Sequence, residues 1–371
     1  MKKIATGTLA ALLIASGCQD DTTTDEKETE PSNPSGFAFE QLGEFYIGSE
    51  SGDSSSQSFI HSYIPTNADE SSVVMVPGLG LSSYIYNTTP DGRNGWAYHF
   101  AEDGHPVYTV DTSDLVVSGL NPEPFQAVKS GQADPSTQPS LSDWEEGTVW
   151  ARWGFGSSEG QPYEDTQYPT ESIDQFFNAI PPQISQTNAS SGSSQGNSSA
   201  QSSQQGQGKA SGGQRTGTDT TSGKASSSRV NTQEVENMIK LLEDKGPSVL
   251  LVHSMGGEIG YEVARQRPDL VKALVAIEPV GSPTNEEEVI EKFADIPYLI
   301  VYGDYIESRN QTGRLEATKT TAQIIRDNGG TAEVIELTEE GIDGNTHIMM
   351  QDKNNEEIAT IITEWLDENV E

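Results

Sequence analysis

The chain has 371 residues, a formal net charge of −36, 33% hydrophobic residues and a single cysteine. One cysteine excludes a disulfide framework within the monomer, and 21 Lys plus Arg against 57 Asp plus Glu argue against a nucleic-acid partner or an anionic lipid held by charge. The length suits one large α/β domain or two smaller ones.

Lys2 and Lys3 open the chain, an apolar run follows from Ile4 to Ile14, and Ala15-Ser16-Gly17-Cys18 closes it. That run is too short for a stable membrane span. Small residues directly before the lone cysteine resemble the lipobox of bacterial lipoproteins. The resemblance implies that residues 1–17 are a signal peptide and that Cys18 carries the lipid; an ordinary cleaved signal with an incidental cysteine is the alternative. By the same analogy Gln19 implies the outer membrane, so the expected location is a bacterial cell envelope, lipid-anchored, or the secreted medium.

Residues 18–36 are acidic and rich in Thr, Ser and Pro without apolar periodicity, which predicts a disordered tether. Phe37 to Ile47 and Gln57 to Ile64 predict a strand pair, Val73 to Val76 a short buried strand, Gly95 to Asp103 a helix and Val107 to Asp111 the next strand. Residues 127–182, with Trp144, Trp150, Trp153, Phe155, Phe176 and Phe177, predict a cap over a site, and those aromatics serve equally as the cap's own core. Residues 183–229, mostly Ser, Gln and Gly, predict a disordered insertion. Beyond it Val249 to Val252, Ala273 to Ile277, Tyr298 to Tyr302 and Ala332 to Leu337 are buried-type strands alternating with helices, and Ile358, Ile361, Ile362, Trp365 and Leu366 mark a last helix. The alternation specifies an α/β fold, with a mostly parallel sheet covered on both faces. Neither flank alone has enough strands for that sheet, so 37–182 and 230–371 are expected to form one domain. Residues 1–36 and the insertion together contribute no net charge, since 1–36 hold six acids and three bases and 183–229 one acid and four bases. The acidity therefore falls on the folded body, as on a surface adapted to salt.

Leu251-Val252-His253-Ser254-Met255-Gly256-Gly257 is a buried strand running straight into a helix with a serine at the corner. A hydroxyl there is exposed at the sheet's C-terminal edge beside free backbone N–H groups, which suits a nucleophile. Val252 occupies the position two before the serine, where glycine is usual. A serine needs a base. Of five histidines, His347 follows the serine in the chain and lies in a loop after the last strand and before the last helix, which makes it the candidate base. Glu278, at the end of the strand Ala273 to Ile277, is the preferred orienting acid, because a carboxylate in so apolar a setting needs a partner for its charge. Asp304, after the next strand, is its rival. Pro77-Gly78-Leu79-Gly80-Leu81 follows the early strand, so the N–H groups of Leu79 and Met255 are the expected oxyanion donors. No Lys follows the glycines as in a phosphate-binding loop, and no His/Asp cluster has ligand spacing, so neither metal nor organic cofactor is expected.

These residues resemble the α/β-hydrolase superfamily, and more narrowly a small group of secreted bacterial carboxylesterases whose triad glutamate follows the strand after the nucleophile elbow. The resemblance rests on Thr89-Pro90-Asp91-Gly92-Arg93 with Gly95-Trp96, Asp165-Thr166-Gln167-Tyr168-Pro169, Ile277-Glu278-Pro279, and Asn345-Thr346-His347 with Met349-Met350-Gln351-Asp352. It implies a Ser254–His347–Glu278 triad hydrolysing a small-molecule ester. It departs in the oxyanion loop, where that group carries adjacent cysteines after a histidine. A binding lipoprotein without catalysis, or an amidase or lipase on the same fold, remains the alternative.

Overall fold

The computed structural model describes residues 37–48, 56–68, 70–184 and 230–370. The predicted signal peptide, Cys18, the tether and residues 185–229 lie outside the described residues.

Strands β1 (Phe39–Ile47) and β2 (Ser58–Pro65) form the expected antiparallel pair. After β3 (Val73–Val76), helices α1 (Tyr84–Asn87) and α2 (Trp96–Glu102) lead to β4 (Val107–Asp111). The cap segment follows, with helices α3 (Glu123–Lys129), α4 (Glu146–Trp153) and α5 (Ile173–Ala179). Its short strands are β5 (Leu141–Ser142), β6 (Gly156–Ser158), β7 (Gln161–Pro162) and β8 (Gln183–Ile184). Because β8 pairs with β5, ordered chain continues two residues past Pro182. The remainder alternates strictly: α6 (Thr232–Lys245), β9 (Ser248–His253), α7 (Gly256–Gln266), β10 (Val271–Ile277), α8 (Glu286–Lys292), β11 (Tyr298–Tyr302), α9 (Thr312–Asp327), β12 (Ala332–Glu336) and α10 (Asn355–Asn369).

Eight strands share one sheet in the order β1-β2-β4-β3-β9-β10-β11-β12, parallel from β4 to β12. The pairing of β3 with β9 places strands from both sides of residues 185–229 at the centre of that sheet. Its inner strands are buried at nearly every position and mostly apolar, because both faces are covered. Alternate residues go to opposite cores. Met75, Leu251, Val275 and Val301 pack with α2, α10 and the cap on one side, and Val74, Leu250, Leu274 and Ile300 with α6 to α9 on the other. Asn231 and Asn285 start α6 and α8 by accepting the N–H of Glu234 and Glu288, and three glutamates in the first turn of α8 favour its positive end.

Val252, the departure from the usual elbow glycine, is fully buried. Space for it comes from α7: a Cβ at Gly260 would stand 2.6 Å from Val252 Cγ1. Gly260 on the packed helix thus leaves room for the Val252 side chain. Gly260→Ala should lower stability by roughly 1–3 kcal/mol through overpacking, despite alanine's better helix propensity. In a double-mutant cycle read by denaturant unfolding, this loss should shrink in the Val252→Ala background; equal losses in both backgrounds would refute the compensation.

Candidate active site

Ser254 ends β9 with a φ of 50°, a left-handed conformation that few non-glycine residues adopt. The corner is held from β10 and beyond, since the Ser254 N–H donates to Ile277 O at 3.0 Å and its carbonyl accepts from Val280 N–H at 2.8 Å. Gly256 lets the elbow sit on the neighbouring loop, where a Cβ would come within 2.7 Å of Pro77 O. Among the described residues neither Leu79 N–H nor Met255 N–H has a backbone partner. Both residues line a cavity of about 340 Å³ with Ser254 and His347.

Glu278 is also in the left-handed region, at φ 42°, and only 1% exposed. Its Oε2 accepts from His347 Nδ1–H at 2.6 Å, its Oε1 from Gly303 N–H at 3.1 Å, and both oxygens from Arg309 Nη2 at 2.7 Å. Burial alone would raise this carboxyl, but Arg309 and then His347 outweigh it and bring it down to about 2. Burial lowers the His347 pKa below the usual imidazole value, against the pull of Glu278. With Nδ1 donating to Glu278, Nε2 is the atom left to exchange a proton. The structure thus joins Glu278, not Asp304, to the histidine. Asp304 instead staples the loop before His347, with Oδ2 accepting from Gly344 N–H at 3.1 Å and its own N–H donating to Asn345 O at 2.7 Å.

Three supporting residues carry little signal in the sequence. Arg309 is one, legible only by asking what balances a buried glutamate. His253 is another: it donates from Nε2 to His347 O at 2.9 Å, its ring centre lies 4.4 Å from that of His347 with the planes tilted by 48°, and burial holds it neutral, well below the usual value. Asp352 is the third. It accepts from Thr346 N–H at 2.7 Å and Asn345 Nδ2 at 3.0 Å, and burial pushes it up to about 7 against those donors. The short sequence blocks converge on the same loop. Arg93 donates to the carbonyls of Gln351 and Asp352, Trp96 Nε1 to Asn355 O, and the N–H of Gln167 to Gly344 O.

In the cap, Trp144 and Trp153 line the cavity, and Trp144 Nε1 donates to Leu79 O at 2.7 Å. Trp150, Phe155 and Phe176 are buried core. A wider polar groove of about 740 Å³ runs along α9 and β12, with no serine, cysteine or histidine in its lining. Away from the serine, Asp103, His105 and Asp367 bring one donor atom each within 4.8 Å of one another, a grouping that could hold a metal ion and that spacing along the chain conceals.

No protein-family model matches the chain. A protein of Fungal sp. (strain ATCC 74256), named a probable secreted lipase, is 24% identical over 358 residues, covering 83% of this chain and 85% of its own. A solved structure described as a novel bacterial esterase is 26% identical and superposes with a TM-score of 0.73, covering 92% of this chain and 99% of the other.

Glu278 has a depressed folded pKa, so its pairing contributes stability that is present above the ordinary carboxylate value and lost as pH falls toward about 2. Arg309→Gln breaks a buried pair and should cost roughly 3–5 kcal/mol near neutral pH. That difference from wild type should narrow as urea unfolding is repeated at pH 5, 4 and 3; a constant difference would contradict the assignment.

Proposed function

The chain has the α/β-hydrolase fold, and on that fold we propose that it is a serine carboxylesterase with Ser254 as nucleophile, His347 as base and then acid, and Glu278 as orienter. The observation that carries this reading is the buried Arg309–Glu278–His347 relay, which ends at the cavity where Ser254 sits on its strained corner. The bacterial esterase and the fungal lipase support it by name and by extent of similarity. In the first step His347 Nε2 takes the hydroxyl proton as Ser254 Oγ bonds to the ester carbonyl carbon. The carbonyl oxygen becomes an oxyanion, stabilised by the N–H groups of Leu79 and Met255. Collapse breaks the bond to the alkoxide, which receives the proton from His347. Water then attacks the acyl-enzyme by the same path, releasing the acid and restoring Ser254.

A fluorophosphonate probe should label wild type and leave Ser254→Ala unlabelled, and Glu278→Gln should lower kcat on p-nitrophenyl esters at least about a hundredfold more than Asp304→Asn. Absence of labelling, or the reverse order of the two acids, would overturn the reading. Because the fungal relative is named a lipase, the ester series should extend to long acyl chains.

The N-terminal sequence supports export with a lipid anchor at Cys18, and the word secreted in the relative's name agrees with export. Residues 185–229 are proposed to be an insertion dispensable for the fold. Cells fed a palmitate analogue should incorporate it into wild type and not into Cys18→Ala, with the variant released to the medium; equal incorporation would refute the anchor.

A further inference from the structure

In a chain with 57 acids and 21 bases, a cation without a carboxylate partner is conspicuous. Among the described residues Arg93, Arg265, Arg267 and Arg309 donate to carboxylates, and Arg326 to Ala332 O and Gln323. Arg152 on α4 and Arg314 on α9 have no such partner among the described residues, and both line the cavity that holds Ser254 and His347. Arg152 stands at the exposed rim with its guanidinium 5.5 Å from the centre of the Trp144 ring, and Arg314 is half-buried. Burial and then the charge of Arg152 work against the charged form of Arg314, with Glu278 pulling the other way. Like charges gathered at a partly desolvated site cost free energy unless an anion completes them.

The other charged groups there are accounted for. Glu278 is already bonded to Arg309 and His347, and Glu258 lines the same cavity. Two guanidinium groups against one lining carboxylate leave a formal excess of one positive charge, which a singly charged group matches. Guanidinium forks pair with carboxylates through parallel N–H donors. Resting on the serine-esterase reading, we propose that the substrate is an ester carrying a second, ionised carboxylate, as in a half-ester of a dicarboxylic acid, and that Arg152 and Arg314 seat that carboxylate while Ser254 attacks the ester carbonyl. The two arginines reach the cavity from the cap and from the sheet's outer layer, so this recognition also requires the cap to lie closed on the site.

The test compares mono-p-nitrophenyl adipate with p-nitrophenyl hexanoate, which differ in the carboxylate alone. Wild type should favour the half-ester in kcat/KM by at least about tenfold, and Arg314→Gln and Arg152→Gln should each lower that ratio several-fold. A purely structural or triad-tuning role would slow both esters alike and leave the ratio unchanged, overturning the proposal. A wild-type ratio near one does the same while leaving the esterase reading intact. Should neither ester be cleaved, the fluorophosphonate decides. No labelling of Ser254 refutes the esterase reading itself. Labelling that monomethyl adipate slows no more than methyl hexanoate refutes only the carboxylate proposal, and stronger slowing by monomethyl adipate supports it.

Discussion

A carboxylate 1% exposed to solvent has to be neutralised where it stands, and the functional half of this fold is arranged around that requirement at Glu278. Arg309 supplies the charge, His347 and the Gly303 N–H supply the remaining donors, and the carboxylate is thereby kept ionised. The consequence reaches in two directions. One oxygen fixes the imidazole tautomer that leaves Nε2 toward the cavity, and the turn beginning at Glu278 returns Val280 N–H to the Ser254 carbonyl, steadying the elbow. Ser254 and Glu278 are therefore neighbours through the backbone at the ends of β9 and β10.

The same economy of space governs the elbow. Two left-handed residues, Ser254 and Glu278, directly follow adjacent strands, and the strain they store is borne by backbone hydrogen bonds of 2.8–3.0 Å between those strand ends. Val252 stands where a glycine is usual, and Gly260 on the packed helix accommodates its bulk.

Charge divides by place. The surface is strongly acidic, while the cavity beside the serine collects Arg152 and Arg314, with Arg309 behind them. Long-range repulsion of anions by the body is screened by salt, whereas attraction inside a partly desolvated cavity is screened far less. An acidic exterior and a cationic pocket are thus compatible, and salt would favour the entry of an anionic ester.

The buried strands, their order of alternation with helices, the last helix and the serine corner were legible from the sequence, because each depends on residues close together in the chain and on periodicity. Ser254, His347 and Glu278 were reachable too, since chain order and an apolar setting single them out. Arg309, His253 and the arginines of the cavity were not. Their roles depend on contacts across tens to hundreds of residues, for which the sequence carries no local periodicity: Glu278 meets Arg309 31 residues on, and His253 meets the His347 carbonyl 94 residues away. By itself the sequence determined which segments are buried, how they alternate and which hydroxyl, imidazole and carboxyl stand at strand ends. Only the tertiary structure decided that Glu278 and not Asp304 bonds to the histidine, that Gly260 makes room for Val252, and that Arg152 and Arg314 line the cavity beside the serine, because those outcomes are set by distances that packing creates.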